Sequence, residues 1–237
     1  MDERERIVVE LARRAATIPK GFYDLDRPVN RFLYERYTAT ARTLLCQCGL
    51  PDLEQVQILE VGCGKAQWLA QFQAWGASAQ RLHGIDLDAK RIGHARERLP
   101  EADLRAGDAS SLPWADGTFD LIVQATVFTS ILTSEMREAV AREMVRVLRP
   151  GGVILWYDFV YHNPRNLHVR GIGLRQIAKL FPGLTMNYRR VTLAPPLARA
   201  IVPLSLGLAD ALDRCPFLRT HVLATLQKPP AAGGRIR

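Results

Sequence analysis

The sequence predicts an α/β fold in which a seven-stranded, mostly parallel sheet is covered by helices on both faces. Two observations carry this prediction. From residue 56 to residue 159, short apolar runs typical of buried strands alternate with longer segments whose apolar residues recur at helical spacing. Glycine, proline and aspartate separate these segments, as they do at the ends of strands and helices. Because parallel strands are joined by helices that pack on the sheet, helices are expected on both faces.

The composition fits one such domain in a reducing compartment. The chain has 237 residues and 48% of them are hydrophobic, which is enough for a sizeable core. The opening residues lack the apolar core of a signal peptide, and no apolar run is long enough for a membrane span. The four cysteines form no disulfide or zinc pattern, and the five histidines lack the grouping of metal ligands. We therefore expect a cytoplasmic protein without a metal site.

Two helices precede the first strand and are predicted to form an N-terminal helical cap. Residues 2–16 and 30–45 carry apolar side chains at helical spacing, and an aromatic segment at residues 21–28 connects them. The predicted organisation is a cap at residues 1–50, a main domain at residues 51–228 and a disordered tail at residues 229–237.

The main domain begins with strands and helices in alternation and then departs from that rhythm. Strands are predicted at residues 56–61, 81–87, 104–106, 119–125 and 153–159, and helices at residues 67–75, 89–99 and 134–148. Beyond them, the patterns predict a helix at residues 173–180, a strand at 184–193, one long apolar helix at 196–212 and a strand at 220–227.

The most informative stretch is ILEVGCGKAQW, at residues 58–68, where a strand ends in a glycine-rich turn that opens a helix. Such a turn brings backbone amides and the positive end of a helix close to a ligand. A dinucleotide fingerprint requires small residues at its first, third and sixth positions. Here these are Gly62, Gly64 and Gln67, so the last position disfavours a nicotinamide-dependent oxidoreductase.

This stretch resembles the first motif of class I S-adenosylmethionine-dependent methyltransferases, an acidic residue followed by spaced glycines. Glu60, Gly62 and Gly64 match it, and Ala66 replaces the third glycine. The pairs LP at residues 112–113 and FD at 119–120, with RVLRPGG at 146–152, are similar to the ubiquinone-biosynthesis-type (methyltransferase type 11) branch. The resemblance covers roughly residues 56–158 and implies S-adenosylmethionine as cofactor on a Rossmann-like sheet with an antiparallel last strand.

Acidic residues follow the next two predicted strands. Asp86 lies 22 positions after Gly64, where a carboxylate can accept bonds from ribose hydroxyls, although Asp86 and Asp108 can equally cap the helices that follow. The resemblance implies that Leu87 flanks the adenine, that Asp108 meets its amino group and that the amide of Ala109 faces a ring nitrogen. The predicted cofactor-binding set is Glu60, Gly62, Gly64, Asp86, Leu87, Asp108, Ala109 and Gln124.

The acceptor side is less clearly marked. Ligands of such sheets gather at the carboxyl ends of the strands, where the segment WYDFVYHNPRN follows the fifth strand. His162 can act there as a general base oriented by Asp158, or the two can be a surface histidine and a turn former. The predicted substrate contacts are Tyr23, Phe128 and Tyr157.

The predicted function is transfer of a methyl group to an O or N atom of a small-molecule biosynthetic intermediate, with lipid-linked and glycan precursors included. The net charge is +8, but the arginines are scattered, which disfavours a nucleic-acid groove. The segment at residues 193–218 is apolar, and four roles are open for it: it covers the sheet, it lines an acceptor pocket, it forms a homodimer surface, or it rests on a membrane. A non-catalytic methyltransferase-like binding subunit and a nucleic-acid methyltransferase stay as alternatives.

Overall fold

The computed structural model describes residues 2–162 and 166–231, and within them it confirms the predicted fold class. The strands are β1 (Ile58–Val61), β2 (Leu82–Asp86), β3 (Asp103–Ala106), β4 (Phe119–Ala125), β5 (Leu148–Phe159), β6 (Thr185–Leu193) and β7 (Arg219–Gln227). They form one sheet in the order β3-β2-β1-β4-β5-β7-β6. The first five run parallel, and β7 lies antiparallel between β5 and β6. Most of the tail predicted at residues 229–237 lies outside the described residues.

Eight α-helices accompany the sheet in the described part of the chain. They are α1 (Glu3–Thr17), α2 (Pro28–Gln47), α3 (Gln67–Ala74), α4 (Ala89–Arg98), α5 (Ser134–Val147), α6 (Leu174–Leu180), α7 (Pro195–Ile201) and α8 (Leu206–Asp213). None of these helices combines the length and the apolar character that a membrane crossing requires. The first two precede the sheet, as the N-terminal pattern predicts.

The single helix predicted at residues 196–212 is wrong, because the structure has two short helices, α7 and α8, in its place. Pro203 follows the end of α7 and has no amide hydrogen for a helical bond. Ser205 then starts α8, since its hydroxyl accepts a bond from the amide of Leu208 at 3.2 Å. Because the residues around this break are apolar, the sequence pattern resembles that of one continuous helix.

The sheet carries a hydrophobic layer on each face. On one face, α2, α3 and α4 pack over the strands, and on the other face α1, α5 and α6 do. Consecutive residues of β5 point into opposite layers. Tyr157 stacks between Tyr37 of α2 and His221 of β7, with ring centroids 4.5 and 4.9 Å apart, whereas Trp156 packs on Phe128 at 4.6 Å in the other layer.

The carboxyl ends of the parallel strands meet at one edge of the sheet, and the β6–β7 connection leaves from the same edge. Phe159, the last residue of β5, pairs with His221 near the start of β7, and Leu193 at the end of β6 pairs with Arg219. Residues 194–218, which contain α7 and α8, therefore project beside the strand ends where ligands of such sheets bind.

A buried carboxylate at the end of β5 holds the turn that follows β4. The Asp158 carboxylate is fully buried, accepts a 2.6 Å bond from the Thr129 hydroxyl and receives the Thr129 amide at 3.3 Å. Arg137 supports the same turn by donating to the carbonyls of Phe128 and Ile131. Burial raises the pKa of Asp158 from 3.8 to about 7, against the opposing effect of the Thr129 bonds.

We expect Asp158→Asn to remove a pH dependence of folding. A carboxyl whose pKa rises on folding contributes stability that is present below its unfolded pKa and is lost as the pH rises through the folded pKa. Between about pH 4 and pH 7, the free energy of unfolding of the wild type should fall relative to the variant, by at most about 1.4 kcal/mol per pH unit. Urea denaturation over this range tests it, with the exposed Asp26→Asn as control. Parallel curves for wild type and Asp158→Asn would contradict the assignment.

Candidate active site

The glycine-rich turn between β1 and α3 has the backbone geometry that only glycine adopts freely. Gly62 and Gly64 have φ angles of 69° and 53°, in the left-handed region. The amides of Gly62 and Cys63 donate to the carbonyl of Ile85 at 2.8 and 3.0 Å, which binds the turn to the end of β2. A Cβ atom at Gly62 would clash with Val127, from the loop after β4. The turn is therefore closed on two sides by neighbouring strand ends.

Ala66, which replaces the third glycine of the motif, also adopts the left-handed conformation. Its φ and ψ are 57° and 42°, and it lies immediately before α3. This conformation costs an L-residue about 1 kcal/mol or more. The alanine methyl is fully buried in the hydrophobic layer beneath the turn, and this packing offsets part of that cost. The alanine therefore preserves the glycine-like path of the chain.

Asp86 joins the glycine-rich turn to the end of β2. One of its carboxylate oxygens accepts the amide of Gly64 at 2.8 Å, and the other accepts the amide of Asp88 at 2.9 Å. The residue is 6% exposed, and the Arg91 guanidinium lies 3.8 Å from the carboxylate. Each carboxylate oxygen keeps a free lone pair, so the group can still accept bonds from two hydroxyls.

Glu60 lies behind the turn in the interior. Its carboxylate accepts the amide of Leu69 in α3 at 3.3 Å and is almost completely buried. Burial raises the pKa of Glu60 well above its usual range, and the nearby Asp86 charge adds to the rise. Glu60 thus fastens the start of α3 to β1.

Asp108 follows β3 and is engaged by the N-terminal helix. Its carboxylate accepts the amide and the hydroxyl of Ser110, at 2.8 and 2.6 Å. The guanidinium of Arg4, from the first turn of α1, donates to the same carboxylate at 3.1 Å. Leu87 and Ala109 are half-buried and pack against the same hydrophobic layer. The sequence pattern did not indicate Arg4, because an arginine in an exposed, charge-rich helix carries no local signal.

Gln124, at the end of β4, completes the set on the other side of β1. Its side chain is fully buried, accepts the amide of Val127 at 3.2 Å and donates to the carbonyl of Tyr157 at 3.5 Å. In the sheet order β3-β2-β1-β4, the predicted cofactor residues therefore occupy the ends of four adjacent strands. The structure brings these residues to one edge of the sheet.

A cavity lies farther along the same edge, beside the ends of β4 and β5. Its volume is about 620 Å³, and its wall includes Leu132, Val160, His162, Val169, Arg170 and Gln176. Helix α1 borders it, since the Glu3 carboxylate accepts the amide of Leu132 and Arg6 donates to the carbonyl of Ser130. Among the described residues, the cavity thus combines apolar walls with the guanidinium of Arg170 and the imidazole of His162.

The predicted acid–base pair is not joined by a hydrogen bond among the described residues. Both oxygens of Asp158 are held by Thr129, whereas His162 is exposed at the cavity wall. The predicted substrate contacts also lie apart. Tyr23 is 55% exposed, while Phe128 and Tyr157 are buried in opposite layers of the sheet.

The sequence of this chain is similar to those of known methyltransferases. A sequence model of a methyltransferase domain matches residues 58–152. A fatty-acid O-methyltransferase of Mycolicibacterium smegmatis is 33% identical over 55% of this chain and 44% of its own length. A phthiotriol/phenolphthiotriol dimycocerosates methyltransferase of Mycobacterium tuberculosis is 36% identical over 47% of this chain and 41% of its own length. The chain spans less than half the length of the curated relatives it matches.

A solved structure shares the fold. The geranyl diphosphate C-methyltransferase of Streptomyces coelicolor A3(2), in complex with Mg²⁺, geranyl diphosphate and S-adenosyl-L-homocysteine, superposes with a TM-score of 0.62. The similarity covers 91% of this chain and 84% of that chain at 15% sequence identity, and it therefore concerns the fold.

The residues at the strand ends fit the cofactor of this family. S-Adenosylmethionine carries a ribose with two hydroxyls and an adenine with an amino group, and all three are hydrogen-bond donors. The buried carboxylate of Asp86 and the half-buried carboxylate of Asp108 are acceptors, and the glycine-rich turn lies next to Asp86. The chain therefore carries a methyltransferase domain of the class I, S-adenosylmethionine-dependent family.

Proposed function

We propose that the protein transfers the methyl group of S-adenosylmethionine to an oxygen or nitrogen atom of a small-molecule intermediate that carries a lipid chain. The observation that carries the proposal is the contiguous array at the strand ends. The glycine-rich turn, Asp86 and Asp108 lie on adjacent strands, and hydrogen bonds tie the turn to Asp86.

The proposed acceptor class rests on the cavity and on the relatives. Leu132, Val160 and Val169 offer the cavity an apolar wall suited to an acyl chain, and Arg170 offers a cation for an acidic head group. Two of the relatives are named for methylation of a fatty acid and of a dimycocerosate lipid. Both observations favour an acceptor with a long apolar part.

The proposed chemistry is a direct displacement. Bound S-adenosylmethionine supplies a methyl group on a sulfonium, which the acceptor's lone pair attacks as the carbon–sulfur bond breaks and S-adenosylhomocysteine leaves. The protein's main contribution is alignment of the acceptor with that bond, which is worth several kcal/mol when the geometry is fixed. A carboxylate substrate needs no base. A hydroxyl or ammonium substrate must lose a proton, and His162 at the cavity wall is the proposed base that takes it.

Methyl transfer to a panel of matched lipids tests the acceptor class. The full chain is incubated with methyl-labelled S-adenosylmethionine and a long-chain carboxylic acid, its alcohol or its amine, and label is counted in the lipid extract. We expect transfer to at least one long-chain compound and little to its short-chain counterpart. For a carboxylate, Arg170→Ala should raise KM by roughly three- to tenfold, because an exposed cation contributes modestly to binding.

The matched control for this panel is Arg175→Ala, which removes an exposed arginine from α6 outside the cavity wall. Its KM should stay at the wild-type value. Equal transfer to short and long acceptors would refute the lipid assignment, and equal KM values for both arginine variants would remove Arg170 from the acceptor site.

Arg4 and the adenine amino group require the same carboxylate, so we expect Arg4→Ala to tighten cofactor binding. Arg4 donates to Asp108 at 3.1 Å, and its side chain is 56% exposed. Because exposed ion pairs contribute little, the dissociation constant for S-adenosylmethionine should fall by roughly two- to fivefold. Calorimetric titration measures this change. Arg13→Ala, which breaks the pair with Glu10 on the same helix, serves as the control. A weaker affinity in Arg4→Ala would mean that Arg4 supports the cofactor rather than competing with it.

A further inference from the structure

Between α7 and α8, the connection from β6 to β7 turns apolar side chains toward solvent. Residues 203–208, named here the leucine loop, comprise the turn after α7 and the first turn of α8; their sequence is Pro-Leu-Ser-Leu-Gly-Leu, and all six are exposed. Leu204, Leu206 and Leu208 expose 81%, 59% and 48% of their surface, and Phe217 on the neighbouring turn exposes 75%. Single exposed apolar residues are ordinary, but four within one short connection are typical of an interaction surface.

The fold holds the leucine loop in place without using its leucines. Ala198, Val202 and Ala209, on either side of the loop, are buried in a small core beneath it. Asp213, at the end of α8, accepts the amide of Leu193 at 3.0 Å and pairs with Arg219 at 3.2 Å. The base of the connection is therefore anchored to the sheet, and its tip presents the apolar side chains outward.

Cationic side chains lie at the base of this apolar tip. Arg199 on α7 is exposed and packs over the ring of Phe22 at 4.9 Å, and Arg214 after α8 exposes 80% of its side chain. Asp210 of α8 pairs with both Arg214 and Arg36 of α2, so this one carboxylate faces two guanidinium groups. The leucine loop itself carries no charge, and the whole chain has a net charge of +8.

An apolar tip above a cationic base matches the cross-section of an anionic bilayer. Leucine and phenylalanine side chains enter the boundary between head groups and acyl chains, while arginines at the level of the head groups pair with phosphates. A second copy of the chain would supply apolar surface, but it carries the same net charge of +8, which opposes its approach. The charge pattern therefore favours a lipid surface as the occupant.

We propose that the leucine loop and Phe217 dock the protein on the surface of an anionic membrane. Because residues 194–218 leave the sheet at its carboxyl edge, docking brings that edge toward the bilayer. The cavity beside β4 and β5 opens at the same edge, so an acceptor with an acyl chain would reach it from the membrane. This last step rests on the proposed function, whereas the docking itself does not.

Vesicle co-sedimentation of the full chain tests the docking. The vesicles contain phosphatidylcholine alone or phosphatidylcholine mixed with phosphatidylglycerol. We expect binding to the anionic vesicles that weakens at high salt. The double variant Leu204→Ser, Leu206→Ser should bind at least tenfold more weakly, since burial of one leucine changes a partition constant by roughly tenfold. The control Val8→Ser, Val9→Ser removes exposed apolar side chains from α1 and should bind like the wild type.

The possible results separate this inference from the proposed function. Absence of vesicle binding, equal binding to neutral vesicles, or equal losses in both double variants would overturn the docking. A wild-type dimer in light scattering that the leucine variant converts to a monomer, without vesicle binding, would assign the loop to a second copy and also overturn it. Calorimetric binding of S-adenosylmethionine without lipid is measured in parallel. If the wild type binds S-adenosylmethionine but not vesicles, the docking fails and the proposed function is left intact. If the wild type does not bind S-adenosylmethionine, the proposed function is refuted and the docking is not.

Discussion

The Asp86 carboxylate is the contact on which the arrangement of the candidate site depends. By accepting the amides of Gly64 and Asp88, it fixes the turn after β1 against the loop after β2. The Ile85 carbonyl repeats the same connection through the backbone amides of Gly62 and Cys63. Because the carboxylate is nearly buried, these bonds work in a medium of low dielectric, where charge-assisted bonds are strong. A ligand at this edge meets acceptors that are already oriented, so it does not have to order them.

The remaining strand ends are organised around this fixed centre. On one side, Asp108 continues the row of acceptors and is in contact with α1 through Arg4. On the other side, Gln124 and Asp158 hold the loop after β4 from within the sheet, through the amides of Val127 and Thr129. The antiparallel β7 then returns the chain so that the β6–β7 connection emerges at this same edge. The predicted cofactor residues, the cavity and the leucine loop thus share one edge because of strand direction.

The sequence predicted the fold and the cofactor family because both depend on short, ordered patterns. The spacing of apolar residues and the glycine, proline and aspartate residues between segments identified the alternating strands and helices. Four motifs in the expected order identified the family. The meeting of the strand ends at one edge followed from the parallel direction of the strands. These features are local in sequence, or depend only on strand direction, and so a single sequence contains them.

The features that the sequence did not predict depend on long-range packing or on one residue in an apolar run. Pro203 and Ser205 divide the segment at 196–212, but the apolar residues around them mimic one continuous helix. The contact of Arg4 with Asp108 joins residues 104 positions apart. Asp158 and His162 are close in sequence, yet the carboxylate turns into the interior toward Thr129, a direction that no local pattern specifies. The role of His162 stays a prediction.

Calorimetric titration of the full chain with S-adenosylmethionine, with Asp86→Asn and Asp88→Asn in parallel, tests the central claim most directly. Asparagine keeps one acceptor oxygen at position 86, so the turn loses one amide partner and the ribose loses an anionic acceptor. We expect saturable binding to the wild type, at least tenfold weaker binding to Asp86→Asn, and nearly unchanged binding to Asp88→Asn, because asparagine also caps helices well. Absence of saturable binding to the wild type, or equal affinity in wild type and Asp86→Asn at matched melting temperatures, would contradict the account.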